Sequence, residues 1–546
     1  MGQVGAARSP WMIQRFVLMN VRTHNRLIAQ NRQLDAAIEC IVSPMNEIVD
    51  IRRDVLERAR RSRDPRFDGK FFVAVISTGI YCRPICPVRL SSAVHYYATA
   101  AAAAEAGFRP CLRCRPEAAP GSPAWIGTSA VVRRILRLIN EGALDTGSVK
   151  DLATRLGMGS RHLNRLLVKQ VGASPVAIAQ TRRLHFAKRL IDETDLRATE
   201  IALAAGYSSV RRFNEAFKST YKKSPMQLRK RHPRGSQETC GITLKLSYRP
   251  PYDWNEAVTF LSERAVLGLE SVDASGYARY LRTATGHIFV RISACKGEHA
   301  LQMQVRGALP AELFEMSSRA RRVFDLTADP AQIADAFKAD MLLAPLAKRR
   351  PGLRIIGVWD PFECAVRTLL ERQVGRFAAR TATADLVARA GQPLEGGLDG
   401  LTRLFPTASA LAAADLSNLP LTPPQQETLR ALCRAARDGI VCFSDSIEKV
   451  TATLTTIPGL DDWVAQVVAL RACGEPDAFP TQDLILRYRT ADKTSPLSAG
   501  ALEERAQLWR PWRGYAACQL WAEAEKYSSG DELAIAARST RAHSLV

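Results

Sequence analysis

Four cysteines constrain this chain more than any other feature. They stand as Cys82-x3-Cys86 and Cys111-x2-Cys114, within Tyr81-Cys82-Arg83-Pro84-Ile85-Cys86 and Phe108-Arg109-Pro110-Cys111-Leu112-Arg113-Cys114. Two close pairs on two turns can supply the four thiolates of a tetrahedral Zn2+ site. Arg83, Arg89, Arg109, Arg113 and Arg115 crowd the same stretch. Cations beside a thiolate depress its pKa and also attract phosphate. The pattern therefore predicts a zinc–thiolate site inside a DNA-facing surface. The spacing alone equally fits a purely structural zinc knuckle, whereas disulfides fit poorly.

The flanking residues separate these readings. Arg63-Asp64-Pro65-Arg66-Phe67-Asp68-Gly69, Phe71-Phe72-Val73-Ala74-Val75, Thr78-Gly79-Ile80-Tyr81-Cys82-Arg83-Pro84 and Ala106-Gly107-Phe108-Arg109-Pro110-Cys111 closely resemble the N-terminal domain of Ada-type methyl-phosphotriester repair proteins. The resemblance runs from about Arg60 to Glu117. It implies that Cys82 accepts a methyl group from a damaged DNA phosphate. A metal-held thiolate stays deprotonated yet nucleophilic, and the thioether product makes the reaction stoichiometric. Methylation also removes one negative charge, so DNA affinity should rise.

Lys+Arg 76 against Asp+Glu 54 gives a net charge of +22, which favours polyanionic partners. A merely soluble basic protein is the plainer alternative. No apolar run is long enough to span a membrane, and no secretory leader is legible. The other eight cysteines of 12 follow no pairing motif, which suits a reducing cytoplasm. The expected location is therefore cytoplasmic, on the nucleoid through DNA binding. Residues 1–44 carry no readable signal and are expected to be a disordered extension. The next domain begins near Met45, an alternative start, with Asp50–Leu56 as its first helix.

After the linker Ala119-Pro120-Gly121-Ser122-Pro123, helical periodicity begins near Ser129. Ser148 caps a helix carrying an acid at its third position, and Gly157-Met158-Gly159 breaks it. Ser160 is expected to cap a second helix, Arg161–Gln170, with Leu163, Leu166 and Leu167 inward and Arg161, His162, Arg165 and Lys169 outward. The pattern recurs: Ile201–Ala205, a turn at Gly206, a cap at Ser208 or Ser209, then Phe213, Ala216 and Phe217 inward and Arg211, Arg212, Asn214, Lys218, Lys222 and Lys223 outward. A helix from Ser174-Pro175 to Ile191 joins the units. Ala205-Gly206-Tyr207-Ser208-Ser209, Phe213-Asn214-Glu215-Ala216-Phe217-Lys218 and Ser224-Pro225-Met226-Gln227-Leu228-Arg229 resemble AraC-type regulators over about 130–232. Two such heads would read major-groove faces about 34 Å apart.

From Ile242 the texture alternates like half-buried strands: Ile242–Tyr248, Tyr277–Leu281, His287–Ile292 and Leu301–Val305, with a helix over Trp254–Val266. Beyond Ser318 the chain reads as helical to Lys526. Ile457-Pro458-Gly459-Leu460-Asp461-Asp462-Trp463 looks like a helix–hairpin–helix hairpin, with Asp483 some twenty residues on. With Pro250-Pro251-Tyr252-Asp253-Trp254, Arg350–Arg354, Asp360-Pro361-Phe362-Glu363 and Trp509–Ala517, the segment 244–526 resembles AlkA-type 3-methyladenine glycosylases. The resemblance makes Asp483 the catalytic aspartate, Trp463 and Trp521 pocket aromatics, Gln373 the wedge into the gap left by a flipped base, and Gly459 the hairpin glycine. Unaided, Asp483 reads as a helix N-cap and either tryptophan as core.

Three departures stand near that site. Asp461 replaces a hairpin glycine, where an acid opposes phosphate and a side chain is expected to strain the turn. Leu370-Glu371-Arg372 replaces Leu-Gly-Gln, and Val467 replaces an aromatic. Helical continuity is also weak through Thr490-Ala491-Asp492-Lys493.

The expected fold is multidomain α+β. A small zinc-binding α/β domain (45–120) precedes an all-α paired helix–turn–helix domain (125–235). An α+β sheet subdomain (242–318), an all-α helix–hairpin–helix glycosylase domain (319–530) and a tail (531–546) follow. The expected protein is a monomer that binds alkylated and promoter double-stranded DNA, transfers methyl groups to Cys82 and excises alkylated bases through Asp483. A zinc-containing regulator with a degenerate glycosylase module is the alternative. No Pro-Cys-His-Arg run is present, so O6-methylguanine transfer is not expected.

Overall fold

Charge spacing sets the first helix, Arg53–Ser62, where Glu57 holds Arg60 at 2.6 Å and Arg61 at 2.8 Å. The helix runs past the expected end at Leu56, because these pairs support its last turn. It lies in a unit separate from Arg63 onward. The structure is a computed structural model that describes residues 53–88, 93–120, 130–140, 142–145, 147–229, 241–491 and 495–527. The expected extension, the tail, Arg89, Asp492 and Lys493 lie outside the described residues.

From Arg63 the chain forms a small sheet. Strands β1 (Phe72–Val75), β2 (Ile80–Cys82), β3 (Val94–Tyr97) and β4 (Arg109–Pro110) lie in the order β3-β1-β2-β4. The β2–β4 pair is parallel and aligns Ile80 with Arg109 and Tyr81 with Pro110. Each strand therefore delivers one cysteine pair to the same end of the sheet. Helix Ala100–Glu105, capped by Thr99, packs Ala103 against Phe72, Ala74 and Tyr81.

The helical segment that follows is an internal repeat. Helices Ser160–Val171 and Val210–Tyr221 begin fifty residues apart and share one burial pattern: Leu163, Leu167 and Val171 match Phe213, Phe217 and Tyr221. Each is followed by a Ser-Pro cap, at Ser174 and Ser224. Ser148 caps helix Val149–Arg155 through the capping box with Asp151, as expected. Gly159, not Ser160, is the N-cap of the first of the two; Ser160 is already helical. Ser209 caps the second through Arg212 N–H.

The C-terminal half opens with an antiparallel sheet of order β5-β9-β8-β7-β6: β5 (Ile242–Ser247), β6 (Glu270–Asp273), β7 (Gly276–Thr283), β8 (Gly286–Ala294) and β9 (Ala300–Arg306). Strand β6 was not expected, because Glu-Ser-Val-Asp is short and polar. It is an edge strand held by β7 alone. Helices then dominate, including Leu313–Val323, Pro361–Val374, Ile447–Thr455, Asp462–Arg471, Leu484–Arg489 and Arg513–Tyr527. The whole is a mixed α+β chain.

One apolar core runs from helix Pro175–Glu193 (Phe186, Leu190) through Phe213 and Phe217 to Leu244, Leu246 and Phe324. Buried polar ties add to it. Arg249 is fully buried; its Nε donates to Asp68 O at 2.9 Å and its Nη1 to Thr327 O at 2.8 Å. Lys70 pairs with Asp329 at 2.6 Å. Glu363 is shared by Arg279 (2.7 Å) and Arg367 (3.0 Å), and fixes helix Pro361–Val374 to β7.

Candidate metal centre, DNA-reading helices and base pocket

The parallel β2–β4 pairing sets the metal centre. Cys111 N–H donates to Tyr81 O at 3.0 Å, which seats Cys111 beside Cys82. Cys86 and Cys114 close the turns that follow. One sulfur from each of the four buried cysteines lies within 4.8 Å of all the others. Hydrogen bonding among the sulfurs pushes the Cys82 and Cys114 thiols up and the Cys111 thiol down. Four sulfurs so close cannot all ionise without a cation among them. An all-thiolate donor set with this spacing fits Zn2+.

Two arginines expected to face DNA do something else. Arg83 donates Nε to Asp68 at 2.8 Å, pairs Nη2 with the same carboxylate, and donates Nη1 to Cys114 O at 3.1 Å; its backbone N–H points at Cys114 Sγ, 3.3 Å away. It is a brace for the second cysteine turn. Arg115 pairs with Asp192 at 2.9 Å and Glu193 at 3.4 Å, tying the centre to helix Pro175–Glu193. Arg113 is exposed and Arg109 half-buried.

In the repeat, Arg161, Arg165, Arg211, Arg212, Asn214 and Lys218 are all exposed, on the faces opposite Leu163 and Phe213. Arg211 pairs with Glu215 at 2.9 Å along its helix. Tyr81 Oη and His185 Nε2 meet at 2.8 Å between the small sheet and the long helix.

In the C-terminal half, Asp483 is both cap and pocket residue. Its Oδ1 accepts from Leu486 N–H at 2.9 Å and its Oδ2 from Trp463 Nε1 at 2.8 Å. Burial raises its pKa, against hydrogen bonds from Leu486, Trp463 and Trp521 that favour the anion. Trp463, Trp521, Val467, Arg471 and Asp483 line a cavity of about 160 Å³. Gln373 is not among the lining residues. It sits half-buried against helix Pro423–Arg437, where its Nε2 donates to Gln425 O at 3.4 Å. Helix Leu484–Arg489 ends at Thr490, in line with the weak continuity beyond it.

The hairpin corrects one expectation and completes another. Asp461 has φ −102°, ordinary for any residue, so it does not strain the turn. It caps helix Asp462–Arg471 through Val464 N–H at 3.2 Å. Gly459 is the position that needs glycine: φ is +85°, and a Cβ there would stand 2.1 Å from Thr428 Oγ1. Asp461 also pairs with Arg372 at 2.7 Å. Two departures from the family pattern thus neutralise each other. Opposite charges at two departing positions were a signal available in the sequence. Arg471, by contrast, reaches the cavity with no sequence cue.

A four-thiolate centre, two exposed basic helices and a carboxylate in a tryptophan-lined cavity define a DNA repair enzyme joined to a transcription regulator. Residues 56–117 match the metal binding domain of Ada, 152–231 a helix-turn-helix domain and 243–360 the AlkA N-terminal domain. The chain is 38% identical over 86% of its length, and 96% of the relative, to the "Probable bifunctional transcriptional activator/DNA repair enzyme AlkA" of Mycobacterium tuberculosis. It is 32% identical to the "DNA-3-methyladenine glycosylase 2" of Escherichia coli, over 50% of this chain and 95% of that one. It is 36% identical to the "Bifunctional transcriptional activator/DNA repair enzyme Ada" of the same organism, over 27% and 40%. The chain belongs to the family of bifunctional transcriptional activator/DNA repair enzymes named AlkA. Its zinc-binding domain is that of Ada. Among the described residues, no helix is long and apolar enough to cross a membrane.

Proposed function

We propose that this protein carries out two repair reactions and one regulatory one. Residues 45–120 accept methyl groups, 125–235 bind promoter DNA, and 242–318 with 319–530 excise alkylated bases. It works as a cytoplasmic, nucleoid-bound monomer on double-stranded DNA. The observation that carries the excision reading is Asp483, whose buried carboxylate is held by Leu486 N–H and the Trp463 indole at the wall of the cavity.

In the zinc domain the metal supplies the charge that keeps the cysteine sulfurs ionised. Cys82 sulfur attacks the methyl carbon of a phosphotriester in line. The S–C bond forms, the C–O bond breaks, and the phosphodiester leaves with the bonding pair. Arg83 holds the Cys114 turn in place throughout. Methyl gain by intact mass, absent in Cys82→Ala, tests this half.

In the pocket, a flipped base stacks beside Trp463 and Trp521 while Gln373 fills the gap in the duplex. As the C1′–N bond breaks, the Asp483 carboxylate stabilises positive charge on the sugar, and water completes the hydrolysis. Arg161, Arg165, Arg211, Arg212, Asn214 and Lys218 face the promoter major grooves. The test is release of free base from methylated duplex DNA. Release that disappears in Asp483→Asn supports the reading. No release from folded, DNA-binding protein instead supports a regulator with a degenerate module, which Val467 in the lining favours.

A further inference from the structure

A second cavity, of about 450 Å³, lies where helices Ala130–Asn140, Pro175–Glu193 and Leu313–Val323 meet the loop 473–476. Seven arginines and three carboxylates line it. The carboxylates are engaged. Glu117 pairs with Arg115 and Lys188, both at 3.5 Å and both outside the lining. Asp325 accepts from Tyr515 Oη at 2.6 Å, and Glu475 from Asp477 N–H at 3.2 Å. Three of the arginines have no carboxylate within ion-pair distance among the described residues. Arg321 donates Nη1 to Ser247 O at 3.2 Å, and burial, aided by Arg189, pushes its pKa down to about 9. Arg137 donates Nη1 to Cys473 O, and Arg134 Nε is buried without an acceptor. Arg182 is paired with Asp145 and covers the Phe314 ring, 4.2 Å from its centroid.

We propose that this cavity binds a small anion carrying a phosphate chain, held by Arg134, Arg137 and Arg321. Gathering cations away from water is costly without an anion among them, and a phosphate chain brings several charges in one small molecule. A guanidinium presents five N–H donors in a fixed fork that fits two phosphate oxygens, and a single carbonyl acceptor leaves most of them for a ligand. The volume lies in the range of small-molecule sites and is too small for a duplex. Arg182 occupies a face of Phe314, so the phosphates and not a stacked base carry the recognition. None of the residues assigned to promoter DNA lines the cavity, and Arg471 alone is shared with the base pocket. The site therefore does not depend on Asp483.

The test is calorimetric titration of the zinc-loaded full chain with sodium pyrophosphate at about 0.15 M salt, where weak surface pairing is screened. Wild-type protein should bind one equivalent with a Kd below about 100 µM. Arg321→Met should weaken binding at least tenfold and Arg134→Gln at least threefold. Arg134 is only half-buried on its helix, so that variant keeps the test open where the first fails to fold. All three proteins keep the four cysteines, so any pull of pyrophosphate on the metal is common to them and cancels. Titration with ATP identifies the source. Affinity equal to or above that for pyrophosphate marks a nucleoside polyphosphate, affinity tenfold lower marks an inorganic one, and both uphold the site. The pyrophosphate titration is repeated with unmethylated duplex DNA in excess. Unchanged affinity upholds the site, whereas loss of binding assigns these arginines to a DNA-facing surface and overturns it. One affinity for all three proteins, or no saturable binding by wild type, also overturns it.

Discussion

Lowering the pH should weaken the fold through His185, and the size of the effect can be worked out. His185 is half-buried, with Tyr81 Oη at 2.8 Å as its partner across the contact between the small sheet and helix Pro175–Glu193. Burial lowers its pKa from 6.5 to about 4. The unfolded chain therefore binds a proton near pH 6.5 that the folded chain refuses until near pH 4. The stability is intact above pH 6.5 and lost as the pH falls through that window. The interval, 6.5 − 4, is worth about 3 kcal/mol in all, of which about 2.5 kcal/mol is gone by pH 4.5. Buried Glu117 works in the opposite direction, because burial raises its pKa and the folded state gains from its protonation. The quantity to measure is therefore the difference between wild type and His185→Phe, which keeps a ring and removes the titration. Urea unfolding of the zinc-loaded proteins at intervals from pH 7.5 to 4.5 gives it. The wild-type curve should fall relative to that of the variant by about the stated amount. Parallel curves would refute the reasoning.

Glu363→Gln should cost about 1–3 kcal/mol, read as a drop in urea midpoint, since buried Arg279 loses its nearer carboxylate while Glu270 still faces both Arg279 and Arg367. Gly459→Ala should destabilise the C-terminal half by about 2 kcal/mol, from positive φ and the clash with Thr428, with weaker binding to duplex DNA. Base release should fall on acidification at a higher pH than an ordinary carboxylate would give, because burial raises the Asp483 pKa above 3.8; a limb at the usual carboxylate pH would contradict that burial effect. Asp68→Asn should loosen zinc, measured by competition with a chelator, because Arg83 then loses the charge that holds it against Cys114.

What could be read from the chain was whatever depends on neighbours in sequence. The cysteine pairs, the capping box at Ser148 and the doubled spacing of Leu163 and Phe213 are local patterns, and the structure contains them. Fates that depend on distant partners were not legible. Arg83 reads in sequence as a phosphate contact, but Asp68 stands beside it, as Asp192 does beside Arg115. Strand β6 needed β7 to exist, since its own residues favour no strand. Asp461 looked like a defect in the hairpin, because its partner Arg372 is 89 residues away. Asp483 read equally well as a cap and as a functional carboxylate. It is positioned as both, and only the packing of Trp463 against its second oxygen distinguishes them.

The polar ties between the zinc-bearing segment and the C-terminal half bear on why such parts share one chain. A guanidinium with no exposure is costly unless every donor finds an acceptor. Arg249 finds its acceptors in both: the carbonyl of Asp68 on one side and that of Thr327 on the other. The carboxylate of the same Asp68 holds Arg83, and Arg83 holds the Cys114 turn. Three consecutive contacts thus run from a cysteine ligand to the body of the C-terminal half. Each is charge-assisted, the kind most sensitive to small changes in geometry. A domain joined only by a flexible linker would have no use for a buried arginine at this place. The cysteine cluster and the C-terminal half are therefore parts of one folded body.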